Sequence, residues 1–308
     1  MTRSRPLAVA AVLTTAAVLA LATALAAQAP PLLRFGVVTD IHYAEVDANG
    51  TRAYRESGAK LAECVQVLGM KEVAFLVELG DFKDQDPAPD EARTLGYLRT
   101  IESVFAAFKG PRYHVIGNHD TDSLSKAQFL EAAPNAGIVP NATRYTFVSG
   151  GVRFVVLDAN HKSDGSDYDR GNFDWSDSNI DPPQLAWLAK TLAASHEPVV
   201  VMVHQPLDGS DALSVKNAAE VRAALEKSGK VIAVLQGHRH EGGFSEIGGI
   251  PYVTFRALIE GAGPWNSSYA IVDVMPDLEV RILGYRREVT RSFRAAAAGA
   301  LLHQKQPK

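Results

Sequence analysis

The chain has 308 residues, of which 46% are hydrophobic and 21% charged, with a formal net charge of −4 and a single cysteine, Cys64. It is long enough to bury a sizeable core, and one cysteine excludes an intramolecular disulfide. The charge balance excludes a general affinity for nucleic acid or anionic membranes, but not an anionic substrate, because charges beyond about 8–10 Å are screened.

The N-terminal residues 1–26 have the pattern of a secretory signal peptide. Arg3 and Arg5 form a basic start, residues 7–25 are apolar and uncharged, and residues 24–26 fit a small-x-small cleavage site. We therefore expect an exported protein, periplasmic or extracellular, without stable membrane association after cleavage. The alternative is an uncleaved N-terminal anchor, since the apolar stretch approaches the length that spans a membrane.

The part that follows, residues 27–294, is predicted to be one α/β domain. Short apolar segments rich in Val and Ile, typical of strands covered on both faces, occur at 33–39, 73–79, 113–116, 152–157, 199–203 and 231–235. Segments with helical spacing alternate with them at 56–70, 95–108, 182–194 and 218–228. Such alternation is typical of a layered α/β architecture.

The C-terminal part changes character. Segments 250–255, 268–274 and 279–285 are predicted strands separated by Gly, Pro and Asp, which indicates a more antiparallel sheet edge or second layer. Residues 295–308 show no strong pattern, and we assign them to a tail that is a candidate for disorder.

A long polar segment, residues 159–181, is predicted to be an irregular loop, and loops of this length are often functional. It combines six aspartates, Asp181 included, with Tyr168, Phe173 and Trp175, which could stack on a substrate base, and with Arg170, which could pair with a second phosphate. The alternative is a solvated surface loop with no such role.

Five short polar signatures each follow an apolar segment. They read Asp40-Ile41-His42, Gly80-Asp81-Phe82-Lys83-Asp84, Gly117-Asn118-His119-Asp120, His204 and Gly237-His238-Arg239-His240. Ligands of α/β sheets bind at the carboxyl ends of the strands. We therefore expect these signatures to converge in space, although they span about two hundred residues of chain.

The residue types in these signatures suit metal binding. The candidate ligands are Asp40, His42, Asp81, Asn118, His204, His238 and His240. His together with Asp suits Mn, Fe or Zn, and seven ligands exceed the needs of one tetrahedral ion. They fit two divalent ions that share a bridging carboxylate. Gly80, Gly117 and Gly237 precede signature residues where the backbone must turn sharply.

Over residues 34–285 the series resembles the calcineurin-like metallophosphoesterase family, with its blocks Asp-x-His, Gly-Asp-x-x-Asp, Gly-Asn-His-Asp/Glu, His and Gly-His-x-His. The resemblance implies a four-layer α/β/β/α sandwich with a binuclear centre. It implies that one metal is held by Asp40, His42 and His240. It implies that the other is held by Asn118, His204 and His238. Asp81 would bridge, and His119, oriented by Asp120, would lie beside the substrate.

The expected activity is phosphoester hydrolysis. Metal-activated hydroxide would attack phosphorus, and His119 would protonate the leaving oxygen as general acid. Asp84 either contacts a ligand or ends a turn. The alternative function is an exported metal-binding or receptor protein without turnover, which would not need the pair His119 and Asp120.

The substrate is expected to be a small phosphate ester or nucleotide. Residues 237–261 and the helix start at 182–188 are similar to the manganese-dependent ADP-ribose/CDP-alcohol diphosphatase branch. Simple exported phosphatases can look similar, so phosphomonoesters and nucleotide diphosphate-linked compounds are both retained.

Overall fold

The structure is a computed structural model that describes residues 29–304, so the predicted signal peptide, residues 1–26, lies outside the described part. Within this range, twelve strands form two sheets of six strands each. The first sheet contains, in spatial order, β12 (Arg291–Phe293), β11 (Val280–Arg286), β10 (Ser268–Val274), β1 (Leu33–Val38), β2 (Leu76–Glu78) and β3 (Arg112–His114). The second contains β4 (Tyr145–Ser149), β5 (Val152–Val156), β6 (Val199–Met202), β7 (Val231–Gln236), β9 (Ile250–Thr254) and β8 (Gly243–Ile247).

Each sheet contains a set of parallel strands that end at the same edge. In the first sheet β1, β2 and β3 are parallel, while β10 to β12 run antiparallel on the other side. In the second sheet β5, β6, β7 and β9 are parallel, with β4 and β8 antiparallel at the two edges. The predicted antiparallel character of the C-terminal strands is therefore confirmed for β10 and β11.

Helices cover the outer face of each sheet. The helices are α1 (Ser57–Gly69), α2 (Glu91–Phe105), α3 (Lys126–Ala132), α4 (Pro182–Ala194), α5 (Ala218–Ser228) and α6 (Ala298–Gln304). Buried side chains of α1 and α2 pack on the first sheet, and those of α4 and α5 pack on the second. Apolar residues of both sheets meet between the sheets, where Phe35, Phe75 and Phe154 contact one another. The predicted four-layer α/β/β/α sandwich is confirmed.

Local signals placed the ends of two helices. Asp181 accepts a hydrogen bond from the backbone N–H of Gln184 over 3.3 Å and begins α4, as predicted. Gly229 ends α5 with a φ of 60°, a left-handed conformation that glycine adopts without strain. No helix in the described range is long and apolar enough to cross a membrane.

The C-terminal tail differs from the expectation. We assigned residues 295–308 to a tail that was a candidate for disorder, but Ala298–Gln304 form helix α6. Ala298 and Leu301 are buried with the core between the sheets. Uncharged residues with apolar side chains three positions apart can cover the end of a core, so the segment is ordered by packing.

Candidate metal centre

The seven predicted ligands lie together at one end of the sandwich, just beyond the ends of β1, β2, β3, β6 and β7. They are Asp40, His42, Asp81, Asn118, His204, His238 and His240. His240 is partly exposed and the other six are buried. Because the parallel strands of both sheets end here, residues about two hundred positions apart in the chain share one site.

The first group consists of Asp40, His42 and His240. Their ligand atoms lie within 4.8 Å of one another. The Nε2 atoms of His42 and His240 are 3.3 Å apart, and the Nε2 of His240 is 3.5 Å from Asp40 Oδ1. Two atoms that ligate one ion at about 2.1 Å are separated by about 3–3.5 Å, so these spacings fit a shared cation.

Four buried polar atoms of the second group have no hydrogen-bond partner in the described part of the chain: the Nδ2 of Asn118 and three atoms that can ligate a metal ion. These three are Oδ1 of Asn118, Nε2 of His204 and Nε2 of His238. The Nε2 of His204 lies 3.1 Å from Asp81 Oδ2 but without hydrogen-bond alignment. Leaving a buried polar group unsatisfied costs about 1–3 kcal/mol. Ligation of a cation by these atoms accounts for all three, so the residues fit a metal ion.

Asp81 lies between the two groups. Its Oδ2 is 3.4 Å from the Nε2 of His42 and 3.1 Å from the Nε2 of His204. Its Oδ1 accepts a hydrogen bond from the backbone N–H of His119 over 2.8 Å. This position is the one expected of a carboxylate that two ions share.

Hydrogen bonds from outside the centre fix how the imidazole rings face it. The Nδ1 of His204 lies 2.8 Å from the carbonyl oxygen of Leu79, and the Nδ1 of His240 lies 2.6 Å from Glu260. The Nδ1 of His42 is 3.2 Å from Asp84. Each contact leaves Nε2 facing the site, which is the arrangement that orients metal-ligating histidines.

The same contacts settle the role of Asp84 and identify Glu260 as a further residue of the site. Asp84 contacts the rings of His42 and His119, so it does more than end a turn. Glu260 follows β9 and has no motif of its own, so sequence reasoning did not single it out. Only its place within residues 237–261, the segment similar to the diphosphatase branch, could have drawn attention to it.

The backbone of the centre is strained. Asp40, His42, Asp81 and His238 have φ angles of 52°, 46°, 57° and 67°. This left-handed region is uncommon for residues other than glycine, and such conformations persist where the surrounding structure determines them, often at functional sites. Hydrogen bonds from Asp40 N to Gly80 O and from His42 N to Asp81 O, at 3.0 and 2.8 Å, hold two of them.

The signature glycines serve two different purposes. Gly80 has a φ of 106°, which confirms the predicted sharp turn. Gly117 is needed for close approach instead, because a Cβ there would lie 2.2 Å from the backbone nitrogen of Asp81. A Cβ on Gly237 would lie 2.2 Å from Thr39 Oγ1 and 2.8 Å from Asp40 Oδ2.

The prediction that Asp120 orients the His119 ring is wrong. The Asp120 carboxylate is buried and accepts hydrogen bonds from four backbone N–H groups. These belong to Gly117, Asp81, Phe82 and Lys83, at 2.8, 3.1, 2.9 and 3.4 Å. Asp120 therefore holds the loop that carries Asp81. The sequence pattern placed it beside His119, but the His119 ring contacts Asp84 and Asp122 instead.

His119 lies at the rim of the centre, and other carboxylates contact its ring. Its Nδ1 is 3.5 Å from Asp84 Oδ1 and 3.9 Å from Asp122 Oδ2. Phe173 packs beside the ring with a centroid separation of 5.6 Å. Burial lowers the pKa of His119, but the charges of Asp81 and Asp84 outweigh it and raise the pKa to about 9.

Charges within the centre compensate one another. Burial lowers the pKa of His204, but the carboxylate of Asp81 outweighs it and raises the pKa to about 10. Burial and the neighbouring charge of His204 lower the pKa of His238 to about 3. Imidazole ligates metals only in its neutral form. A divalent cation bound here would therefore replace the proton of His204.

A pocket of about 380 Å³ opens above the centre. Besides centre residues, it is lined by Arg52, Trp175 and Leu213. No carboxylate among residues 29–304 forms a salt bridge with Arg52. Its side chain bonds to Tyr54 and its charge acts on Glu260, and it lines the pocket where an anion can bind. Trp175 is 51% exposed, which leaves its ring accessible to a ligand.

The loop 159–181 matches part of what we expected. Trp175 lines the pocket, but Tyr168 is fully buried and its hydroxyl donates to the carbonyl oxygens of Asp174 and Asp177. Arg170 bonds to Glu91 and Gln128, each over 3.1 Å, and does not line the pocket. Arg170 is thus not placed to bind a second phosphate.

Two facing mixed sheets, flanking helices and an Asp/His/Asn centre at the strand ends define a metal-dependent phosphoesterase, a hydrolase. Residues 33–242 match the family model described as calcineurin-like phosphoesterase, and the chain belongs to that family.

The similar proteins carry a more specific name. The chain is 26% identical over 290 residues to the manganese-dependent ADP-ribose/CDP-alcohol diphosphatase of Oryza sativa, covering 80% of this chain and 89% of that protein. It is 26% identical over 306 residues to that of Arabidopsis thaliana, covering 85% and 97%. The match to that of Homo sapiens is 26% over 323 residues, covering 83% and 94%.

Solved structures support the fold. A dimetal phosphatase from Danio rerio superposes with a TM-score of 0.75 at 21% identity, covering 86% of this chain and all of that one. The purple acid phosphatase PPD1 of yellow lupin superposes with a TM-score of 0.55 at 15% identity, covering 85% and 53%.

Proposed function

We propose that this chain is an exported, manganese-dependent diphosphatase that hydrolyses nucleotide diphosphate-linked compounds of the ADP-ribose or CDP-alcohol kind. The observation that carries the proposal is the placement of Arg52, which forms no salt bridge with a carboxylate of residues 29–304, above two ligand groups that share Asp81. A phosphomonoester needs one phosphate site, whereas a diphosphate benefits from a second cationic contact. The matched relatives, aligned over most of their length, bear the name of this activity.

The ligand groups assign the metal sites within this proposal. One manganese ion would be held by Asp40, His42 and His240. The other would be held by Asn118, His204 and His238. Asp81 would contact both. Imidazole, carboxylate and amide oxygen ligands suit manganese. Bound ions would activate water as a nucleophile and neutralise charge on the phosphoryl oxygens.

The side chains around the pocket would then bind and protonate the substrate. Arg52 would donate hydrogen bonds to the phosphate that is not attacked. Asp84 holds the Nδ1 of His119, which leaves Nε2 to give its proton to the leaving phosphate oxygen. Trp175 would stack on the base. Water adds across the P–O–P linkage, so ADP-ribose would give AMP and ribose 5-phosphate.

The alternative without turnover is less well supported. A receptor would need the two ligand groups but not a histidine at the rim held by two carboxylates, as His119 is by Asp84 and Asp122. Export is proposed from residues 1–26 alone. An exported enzyme of this kind would act on phosphate compounds that a cell cannot import intact.

A substrate panel tests the activity. With manganese, we expect ADP-ribose and CDP-choline to be hydrolysed with a higher kcat/KM than p-nitrophenyl phosphate or bis-p-nitrophenyl phosphate. Chelation should abolish turnover, and manganese should restore it. A clear preference for p-nitrophenyl phosphate would favour the phosphomonoesterase alternative. Binding of two manganese ions without turnover of any compound would favour the receptor.

A variant pair tests the metal assignment. Asp81→Asn should lose manganese from both sites, as measured by elemental analysis, because its Oδ2 faces both groups. Asp158→Asn is the matched control, since Asp158 is a buried carboxylate that pairs with Lys126 instead of the centre. Retention of two manganese ions and full turnover by Asp81→Asn would contradict the assignment. N-terminal sequencing of the exported protein tests the cleavage after residue 26.

A further inference from the structure

Lys60 is a buried lysine whose ammonium group faces backbone carbonyl oxygens. It lies on α1, is 1% exposed, and forms no ion pair with any carboxylate of the described part of the chain. Its Nζ donates to four carbonyl oxygens, those of Leu258, Ile259, Glu260 and Gly261, at 3.1, 3.0, 3.3 and 2.5 Å. Burying a charge is costly unless hydrogen bonds compensate it. A lysine here therefore indicates a role for the segment that it binds.

The other side of this segment is bonded to the first ligand group. The backbone N–H groups of Leu258 and Ile259 donate to the carbonyl oxygens of Thr39 and Asp40, each over 3.1 Å. Just before them, Ala257 N donates to the carbonyl oxygen of His240, also over 3.1 Å. The segment 257–261 thus links the backbones of two residues proposed to bind the same ion.

Glu260 extends this link to the His240 ring. Its Oε1 lies 2.6 Å from the Nδ1 of His240. Its backbone also pairs with Arg52, in an isolated β-bridge. The position of the segment therefore determines the orientation of the His240 ring. It also determines the backbone position of Arg52, whose side chain is proposed to bind the second phosphate.

We infer that Lys60 is a positioning residue for the first metal site, acting through segment 257–261 on Asp40 and His240. The inference rests on the proposed dimetal function. It predicts a selective effect, because an imidazole of the second group is oriented elsewhere: the Nδ1 of His204 bonds to the carbonyl oxygen of Leu79, just after β2. The strained backbone at Asp40 makes the first site sensitive to the loss of such support.

The chain offers a matched control in Lys230. Its Nζ donates to the carbonyl oxygens of Leu192, Ala193 and Ser195 at the end of α4, at 2.8, 3.1 and 2.7 Å. It therefore makes the same kind of bonds as Lys60. It contacts no residue of the centre, so its loss should lower stability without changing metal affinity.

The test is manganese binding by calorimetry to the full chain and its Lys60→Met and Lys230→Met variants, with folding checked by circular dichroism. In Lys60→Met we expect one of two manganese sites to weaken by about 10–100-fold, the usual effect of losing support for a metal ligand. Electron paramagnetic resonance should show the coupled two-manganese signal replaced by that of a single ion. Lys230→Met should retain both sites.

The outcomes separate this inference from the proposed function. If the unmodified chain binds no manganese, the dimetal function is wrong. If it binds two ions and a folded Lys60→Met binds both equally well, only the role of Lys60 is wrong. Should Lys60→Met fail to fold, Lys60→Gln, which keeps two N–H donors, replaces it. A smaller but equally selective weakening is expected there, and unchanged binding at both sites would overturn the inference.

Discussion

The Asp120 carboxylate accepts the backbone N–H of Asp81 over 3.1 Å, so one aspartate holds the backbone from which another reaches the centre. Burial raises the pKa of Asp120 to about 6, and the nearby charge of Asp81 contributes to this rise. Burying a charged carboxylate is unfavourable. The four backbone N–H groups that bind Asp120 offset that cost only while both carboxylate oxygens accept hydrogen bonds.

Replacing Asp120 by Asn should therefore destabilise the fold at this loop. The amide has one acceptor oxygen, so at least one buried N–H would be left unsatisfied, at about 1–3 kcal/mol each. Urea unfolding should show this loss, and turnover should fall by a similar factor for substrates with good and poor leaving groups. A loss confined to poor leaving groups would indicate that Asp120 acts through His119 after all.

For His119→Ala, in contrast, the loss of turnover should depend on the leaving group. We expect manganese binding to be retained and turnover of an alkyl phosphate ester, whose leaving alkoxide needs a proton, to fall by about 10²–10⁴-fold, the usual contribution of a general acid. The loss should be much smaller for p-nitrophenyl esters, because p-nitrophenolate needs little protonation. His196→Ala, at an exposed position, is the control. An equal loss for all leaving groups would favour charge stabilisation over proton transfer.

Substrate recognition can be tested with Arg52, which the sequence analysis did not single out, and with Arg170, which it assigned to a second phosphate. Arg52→Ala and Trp175→Ala should each raise KM for ADP-ribose, by about tenfold if a contact worth roughly 1.4 kcal/mol is lost. KM for p-nitrophenyl phosphate should change little. Arg170→Ala should leave both values unchanged, because Arg170 bonds to Glu91 and Gln128. An effect of Arg170→Ala as large as that of Arg52→Ala would contradict the assignment of the pocket.

A buried cluster away from the pocket should make stability depend on pH. Burial lowers the pKa of His114, but Glu102 and Glu78 outweigh it and raise the pKa from 6.5 to about 9. Burial raises the pKa of Glu78 from 4.5 to about 8. Both groups hold protons more tightly in the folded state. Their stabilising contribution is therefore present at low pH and lost as pH rises through these folded pKa values.

The corresponding experiment is urea unfolding of the metal-free protein and of His114→Gln at about pH 6 and about pH 9. The difference between the two proteins removes the contribution of the histidines in the centre. We expect the unmodified protein to lose more stability than His114→Gln between the two pH values. A larger loss in the variant would show that the cluster titrates in the opposite sense.

The sequence was most informative where a chemical signature directly follows an apolar strand. Asp40, Asp81 and His204 could be predicted to converge because β1, β2 and β6 read clearly as buried strands and parallel strands end at one edge. The caps of α4 and α5 were also readable, since Asp181 and Gly229 act on their own helix.

What the sequence did not reveal depends on contacts between distant parts of the chain. Residue spacing does not say which way a side chain turns within a loop, and so Asp120 was assigned to His119. Arg170 was assigned to the pocket for the same reason. Glu260 and Lys60 belong to no motif. Glu260 contacts the ring of His240, 20 residues away in the chain, and Lys60 binds carbonyl oxygens about two hundred residues away. Helix α6 is ordered by packing against a core that no local pattern indicates.

The origin of the ligands has a mechanical consequence. Asp40, His42, Asp81 and Asn118 follow strands of the first sheet, whereas His204, His238 and His240 follow two strands of the second. Each ligand group draws on both sheets, so a bound ion would act as a clasp across the open end of the sandwich. Metal affinity would then add directly to the free energy of unfolding. When manganese is scarce, such an enzyme would lose resistance to proteolysis along with its activity.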